Sequence, residues 1–313
     1  MILSKPKFWA KKNSLISFLF LPLTFLIIFF IYLKKIFTKT IKFNCPVICI
    51  GNIYLGGTGK TPLSILLGNE LKKMGKNPAL VRKYYKTHSD EHRLIKKKFN
   101  ALILNKDRSF GITEAMKNNF DSVILDDGFQ DYKIRKDLNI ICFNQNQLIG
   151  NGFVFPSGPL REKLTALKSA QIIFINGEKN IDFERKILNV NKNLEFFYAK
   201  YKPINLDEFQ GKQLFALAGI GNPDNFFEIL LKNNLQIKKK LIFPDHYQFT
   251  KNEMLNIVKD AKNNNAQIIM TEKDYYKIID FNLQELKYLK VSLEIREKIK
   301  LLEILTELYD KKN

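Results

Sequence analysis

The chain has 313 residues, 45% of them hydrophobic, with three cysteines and a formal net charge of +20. That length allows about two domains, each with its own core, and so few cysteines exclude a disulfide framework and fit a reducing compartment. The charge attracts anions such as anionic lipid or phosphorylated substrates, but zinc-finger spacing and basic–aromatic interleaving are both missing, so nucleic acid is not expected as a partner.

Residues 14–33 read SLISFLFLPLTFLIIFFIYL and carry no charge. At about 1.5 Å per residue they cover roughly 30 Å, the thickness of a bilayer core. Lys5, Lys7, Lys11 and Lys12 precede the stretch, Lys34, Lys35 and Lys39 follow it, and Trp9 and Tyr32 stand where interfacial aromatics belong. A signal peptide would be shorter and would end in a small-residue cleavage site. Residues 1–42 are therefore expected to be a retained membrane anchor. Pro22 leaves both a spanning and a half-inserted geometry open.

From Pro46 the pattern changes to short apolar runs alternating with helical stretches. PVICI, PALV, NALIL, DSVIL, LNIICF and AQIIFI read as buried strands, with helices over residues 61–74 and 112–118 between some of them. Cys45 and Cys49 lack a second pair and read as buried strand thiols rather than a zinc knuckle. The alternation indicates a mostly parallel sheet covered by helices. A second series begins near Lys212 with QLFALAGIGNP, DNFFEILLKNN, KKLIFPDH, NEMLNIVKDAKNN and AQIIMTEKD, and ends in a helix over residues 297–309. The polar, extended stretch 191–211 marks the joint. The expected fold is thus α/β: a phosphate-loop, parallel-sheet domain over 43–205, a second, smaller α/β domain over 206–313, and an N-terminal membrane helix.

VICIGNIYLGGTGKTPLSILL is the most informative segment. A strand runs into glycines, and Gly59-Lys60-Thr61 opens a helix. Backbone N–H groups of Tyr54, Leu55, Gly56, Gly57, Thr58, Gly59, Lys60 and Thr61 are expected to line a phosphate cradle at a helix N-terminus. Lys60 would reach the β and γ phosphates, and Thr61 would offer its hydroxyl to Mg²⁺. Tyr54 stands where the general pattern has its first glycine. In DSVILDDGFQDY a buried strand ends in Asp126-Asp127, placing carboxylates at the strand's C-terminal edge, where a magnesium-organising acid is needed. His88-Ser89-Asp90-Glu91-His92 has the spacing of a zinc-protease helix. With Glu162 downstream as a third ligand, zinc stays open on spacing alone, but it leaves GGTGKT and DDG unexplained.

Taken together, GNIYLGGTGKTP, SDE (89–91), DDGFQDY, GNGFVFPSGPLRE, AGIGNPDNFF, FPDHYQF and MTEKD resemble the tetraacyldisaccharide 4'-kinases of lipid A assembly over nearly the whole chain. The resemblance implies transfer of the γ-phosphate of ATP to the 4'-hydroxyl of an acylated glucosamine disaccharide 1-phosphate. It implies ATP and Mg²⁺ as cofactors, an inner-membrane location with the catalytic domains on the cytoplasmic side, and no obligate protein partner. It implies Asp90 as catalytic base assisted by His246, with Lys60 and Asp127 also catalytic, and Thr61, Asp127, Glu162 and Glu91 around the magnesium. Arg161, Asn222 and the run Thr271, Glu272, Lys273 and Asp274 are further candidates on the ligand side. The chain departs from the family in Arg82-Lys83-Tyr84-Tyr85, in a shorter loop before Asp90, and in His92 where a proline is usual. The competing function is a membrane-associated phosphate-loop ATPase that switches partners.

Overall fold

The structure, a computed structural model, describes residues 6–245 and 247–310; the side chains of Thr87, Ser89 and Asp90 lie outside what is described. In chain order the elements are α1 (Leu15–Leu19), α2 (Leu21–Phe37), β1 (Val47–Gly51), α3 (Lys60–Lys73), β2 (Pro78–Lys83), α4 (Ser89–Lys98), β3 (Leu102–Asn105), α5 (Arg108–Lys117), β4 (Ser122–Asp126), β5 (Leu138–Asn144), β6 (Ile172–Asn176), α6 (Ile181–Leu188) and β7 (Glu195–Pro203). They continue with β8 (Gln213–Ala218), α7 (Pro223–Lys232), β9 (Gln236–Ile242), α8 (Lys251–Asn263), β10 (Ala266–Thr271), α9 (Glu272–Ile278), β11 (Leu286–Leu289), β12 (Val291–Ile295) and α10 (Lys298–Asp310).

The chain divides into two compact units. Among the described residues, the larger holds 6–84, 99–200 and 295–310, and the smaller holds 85–98 and 201–294. The units therefore interleave in sequence, where two contiguous domains split at 205 were expected. Residues 85–98, with α4, belong to the second unit. There α4 lies against α9, with Lys98 paired to Glu272 at 2.5 Å and Arg93 to Asp280 at 2.7 Å. The C-terminal helix α10 returns to the first unit. Lys298 pairs there with Glu70 at 2.8 Å, and the Tyr309 hydroxyl donates to Ser122 Oγ at 2.7 Å. Both exchanges depend on contacts between residues far apart in sequence.

The larger unit is built on the parallel sheet β7-β6-β5-β1-β4-β2-β3. Its central strands β1, β4 and β5 are buried at every position, as continuous apolar runs in a helix-covered parallel sheet must be. Gly51 ends β1 at a close approach. A Cβ there would stand 2.4 Å from Phe129 Cβ and 3.2 Å from the Phe129 backbone nitrogen. Cys49 and Cys142 are free and fully buried in β1 and β5, and burial pushes the Cys49 thiol up to about 12, so neither is a poised nucleophile. The smaller unit carries a second parallel sheet, β11-β10-β8-β9, with apolar clusters on both faces. Strands β7, β11 and β12 were not expected from the sequence; β7 occupies much of the stretch taken as a linker.

The N-terminal segment departs from the expected single helix over 14–33. It breaks at Phe20 into α1 and α2. Pro22 sits in the first turn of α2, where its missing N–H costs little but where it cannot continue a helix begun earlier. At 17 residues α2 is about 26 Å long. No helix among the described residues is long and apolar enough to cross a membrane. One polar stripe instead docks on the larger unit. Ser17 Oγ accepts from Asn151 at 3.0 Å, Thr24 Oγ1 donates to Ser157 Oγ at 2.8 Å, and Trp9 Nε1 donates to the Pro156 carbonyl at 3.0 Å. The other side exposes Leu15, Leu19, Phe25, Leu26, Phe29, Phe30 and Phe37.

Candidate active site

The phosphate loop follows β1 and enters α3. Gly56 and Gly59 hold the positive φ values of 127° and 88°, conformations that side chains avoid. Gly59 is the N-cap of α3, so the first turn, from Lys60, presents its backbone N–H groups at the loop. Asn52 props the loop from beneath, donating to Thr58 Oγ1 at 3.0 Å and to the Gly56 carbonyl at 3.2 Å. Asn176, at the end of β6, donates to the Thr58 carbonyl at 2.5 Å. The start of the segment is committed differently. Tyr54 bridges to Leu160, Leu55 N–H donates to the Pro159 carbonyl at 2.8 Å, and Arg161 N–H donates to the Ile53 carbonyl at 2.7 Å. The backbone N–H of Leu55 is therefore spent on the 153–161 loop, and the glycine-built part of the cradle begins at Gly56. A tyrosine at position 54 suits strand-like pairing where a glycine would not be needed.

The two aspartates at the end of β4 divide their roles. Asp126 is fully buried and sits beneath the first turns of α3. Thr61 Oγ1 donates to it at 3.0 Å, Ser64 Oγ donates at 3.1 Å, and the buried Arg82 forms an ion pair with it. Arg82 also reaches Thr61 Oγ1 at 3.1 Å. Asp127, next in the chain, has a left-handed backbone (φ 57°) that turns its side chain toward other partners. Lys60 Nζ stands 3.5 Å from it and Arg161 3.2 Å, while Arg108 donates to the Asp127 carbonyl at 2.6 Å. Burial raises the Asp127 pKa, but Lys60, Arg161, Arg82 and Arg108 outweigh it and hold the carboxyl well below the usual range. For Lys60 burial is the larger influence and lowers its pKa, against the pull of Asp127.

The sequence reading placed Thr61, Asp127, Glu162 and Glu91 around one metal. In the structure the Thr61 hydroxyl donates to Asp126, which that reading had placed adjacent to the metal. Glu162 is held by Lys35 at 2.6 Å and Gln130 at 3.1 Å. Glu91 lies in the other unit, paired with Lys273 at 2.8 Å. Among the described residues no three His, Cys, Asp or Glu side chains gather around a metal position. The adjoining Thr61 hydroxyl and Asp126 carboxylate are hard oxygen donors. They suit Mg²⁺, which takes one or two protein oxygens and fills the rest of its shell with water and phosphate. Ser64, Arg82, Asn52, Gln130 and Asn176 were missed as site residues; they reach the loop from α3, from β2, from the segments after β1 and β4 and from β6, which only the fold brings together.

In the smaller unit His246 lies outside the described residues, as does the Asp90 side chain; the Asp90 backbone belongs to α4. Asp274 is fully buried and bonded to Gly219 N–H at 2.8 Å, Thr271 Oγ1 at 2.6 Å and Lys277 at 2.6 Å. Thr271 caps α9 through Asp274 N–H, Lys273 pairs with Glu91 and Asp245, and Glu272 pairs with Lys98. Within the smaller unit this run bonds to the end of β8, to α9 and to α4. Asn222 takes the N-cap position of α7 without a side-chain cap bond.

The model of the LpxK family, tetraacyldisaccharide-1-P 4'-kinases, matches residues 16–310. This chain belongs to that family. The tetraacyldisaccharide 4'-kinase of Pelagibacter ubique is 41% identical over 315 residues, covering 99% of this chain and 100% of that protein. That of Rickettsia bellii is 33% identical over 292 residues, covering 88% of this chain and 89% of its own length. The crystal structure described as the "apo" form of LpxK from Aquifex aeolicus in complex with ATP aligns with a TM-score of 0.72 at 22% identity, over 94% of this chain and 100% of the other. At that identity the likeness speaks for the fold: LpxK-family kinases share the α/β architecture with parallel sheets found here.

Proposed function

We propose that this chain transfers the γ-phosphoryl group of ATP to the 4'-hydroxyl of tetraacyldisaccharide 1-phosphate at a membrane surface. The observation that carries this reading is the family match over residues 16–310, which takes in the glycine loop with Lys60 and Thr61. Phosphoryl transfer asks for in-line positioning and charge stabilisation more than for covalent chemistry. The loop from Gly56 and the N-terminus of α3 supply backbone donors to the phosphates. Lys60 and Arg161, both drawn to Asp127, bring two cations to the same edge of the sheet. Magnesium, when bound, supplies charge neutralisation at the transferring group, with Thr61 and Asp126 as the residues that would hold it. Asp126 in turn keeps the Thr61 hydroxyl oriented.

Asp90 takes the proton of the attacking hydroxyl and His246 orients Asp90; both roles rest on the family's DE and PDH segments. Such assistance is worth roughly 10²–10⁴-fold. The exposed apolar side of α1 and α2 lies in the headgroup boundary, which fits a broken helix pair docked on its own domain better than a full crossing does. Lys34 and Lys39 add about 1 kcal/mol each near an anionic surface. Use of ATP, a cytoplasmic nucleotide, supports catalytic units that work on the cytoplasmic face of the inner membrane. The test is γ-labelled ATP with tetraacyldisaccharide 1-phosphate in mixed micelles. Label on the lipid is expected, and label only in free phosphate would favour a partner-switching ATPase.

A further inference from the structure

Glu162 is 3% exposed and lies one residue from Arg161, whose guanidinium reaches Asp127. A carboxylate so buried needs a compensating charge. That charge comes from outside the nucleotide-binding sheet. Lys35, in the last turn of α2, places Nζ 2.6 Å from Glu162 Oε2. The same ammonium lies 4.9 Å from the centre of the Tyr132 ring. The other carboxylate oxygen accepts from Gln130 Nε2 at 3.1 Å. Gln130 also donates to the Asn52 carbonyl at 2.9 Å and accepts from Arg161 at 3.3 Å. Asn52 props the glycine loop, and Arg161 meets the aspartate that faces Lys60. Every bond in this series lies within the larger unit.

We infer that Lys35 is a positioning residue for phosphoryl transfer: from the N-terminal helix it fixes Glu162, and through Gln130, Asn52 and Arg161 it holds the phosphate loop in its working shape. The apolar helix pair then does more than attach the enzyme to lipid, because its last turn supplies a charge the active-site scaffold lacks. This rests on the kinase reading above.

The experiment compares the full chain with Lys35→Met, Lys35→Arg and Thr24→Val in the lipid-phosphorylation assay. Thr24→Val loosens the same helix at Ser157, away from Glu162. Lys35→Met is expected to lower kcat about tenfold, the lower range for residues that orient a site's own ligands, with KM for the lipid changed less than about twofold on the same scale. Lys35→Arg, which keeps the charge, restores most of the loss, and Thr24→Val leaves kcat near wild type. In a Glu162→Gln background Lys35→Met has no further effect, since the two act as a unit. A Lys35→Met enzyme with wild-type kcat, equal loss in the Met and Arg variants, or equal loss in Thr24→Val overturns the inference. Wild-type protein that puts no label on the lipid overturns the underlying kinase reading instead.

Discussion

At the scale of residues, the end of β4 shows how two neighbouring aspartates come to differ. Asp126 points into the sheet–helix layer and gathers two hydroxyls and a guanidinium; Asp127, in a left-handed backbone, faces Lys60 and Arg161. Asp126→Asn would keep the shape but remove a buried charge that Arg82 pairs with. A stability loss of about 3–5 kcal/mol is expected, the usual cost of breaking a buried pair, with phosphoryl transfer down by at least about 10²-fold. Denaturant unfolding and the lipid assay measure the two losses; a variant as stable as wild type would mean that Arg82 is not held by this charge. Asp127 titrates in a definite direction. Its pKa is depressed in the folded chain, so its stabilising contribution is fully present above the unfolded value of about 3.9 and fades as pH falls below that toward the folded value. Thermal melts between pH 7 and 3 should show wild type losing stability below about pH 4 more steeply than Asp127→Asn; parallel curves would contradict the assignment.

At the scale of elements, the glycine loop was legible because its information is local. Glycines, a lysine and a threonine between an apolar run and an amphipathic one need no distant partner to be recognised. What required the fold was the company the loop keeps. Arg82 was noticed in the sequence only as the first residue of a segment that departs from the family after it, yet the register of β2 against β4 pairs it with Asp126 in the backbone ladder as well as through its side chain. Strand β7 was hidden by its polar, lysine-bearing composition, since only part of it is buried. The N-terminal stretch was read as one helix because hydropathy counts apolar residues and overlooks three small polar ones. Ser14, Ser17 and Thr24 are the buried positions there. The exposed side makes its own prediction. Phe29 and Phe30 are 53% and 65% exposed, and each buried ring is worth about 1.5–3 kcal/mol. Phe29→Glu with Phe30→Glu should cut sedimentation with anionic vesicles by about 10²-fold or more while leaving ATP binding in detergent intact. Unchanged vesicle binding would place the membrane contact elsewhere.

At the scale of the whole molecule, the alternation of strands and helices gave the parallel α/β architecture, and the ordered motifs gave the family. The division into units was less legible. Residues 85–98 and 295–310 each join the unit that their neighbours in sequence do not, because α4 finds α9 and α10 finds Glu70 and Ser122. The smaller unit thus carries the Asp-Glu segment of α4 together with the Pro-Asp of 244–245. Lys273 bonds both Glu91 and Asp245, at 2.8 and 3.1 Å. That shared lysine ties the two segments from which the family resemblance draws its base and its histidine. The claim on which the rest depends is that phosphate passes from the loop at Lys60 to a lipid alcohol. Phosphorus NMR of the lipid recovered after incubation with the full chain and ATP tests it directly. A new phosphomonoester on the 4' oxygen is predicted; an unchanged lipid beside accumulating inorganic phosphate would contradict the account.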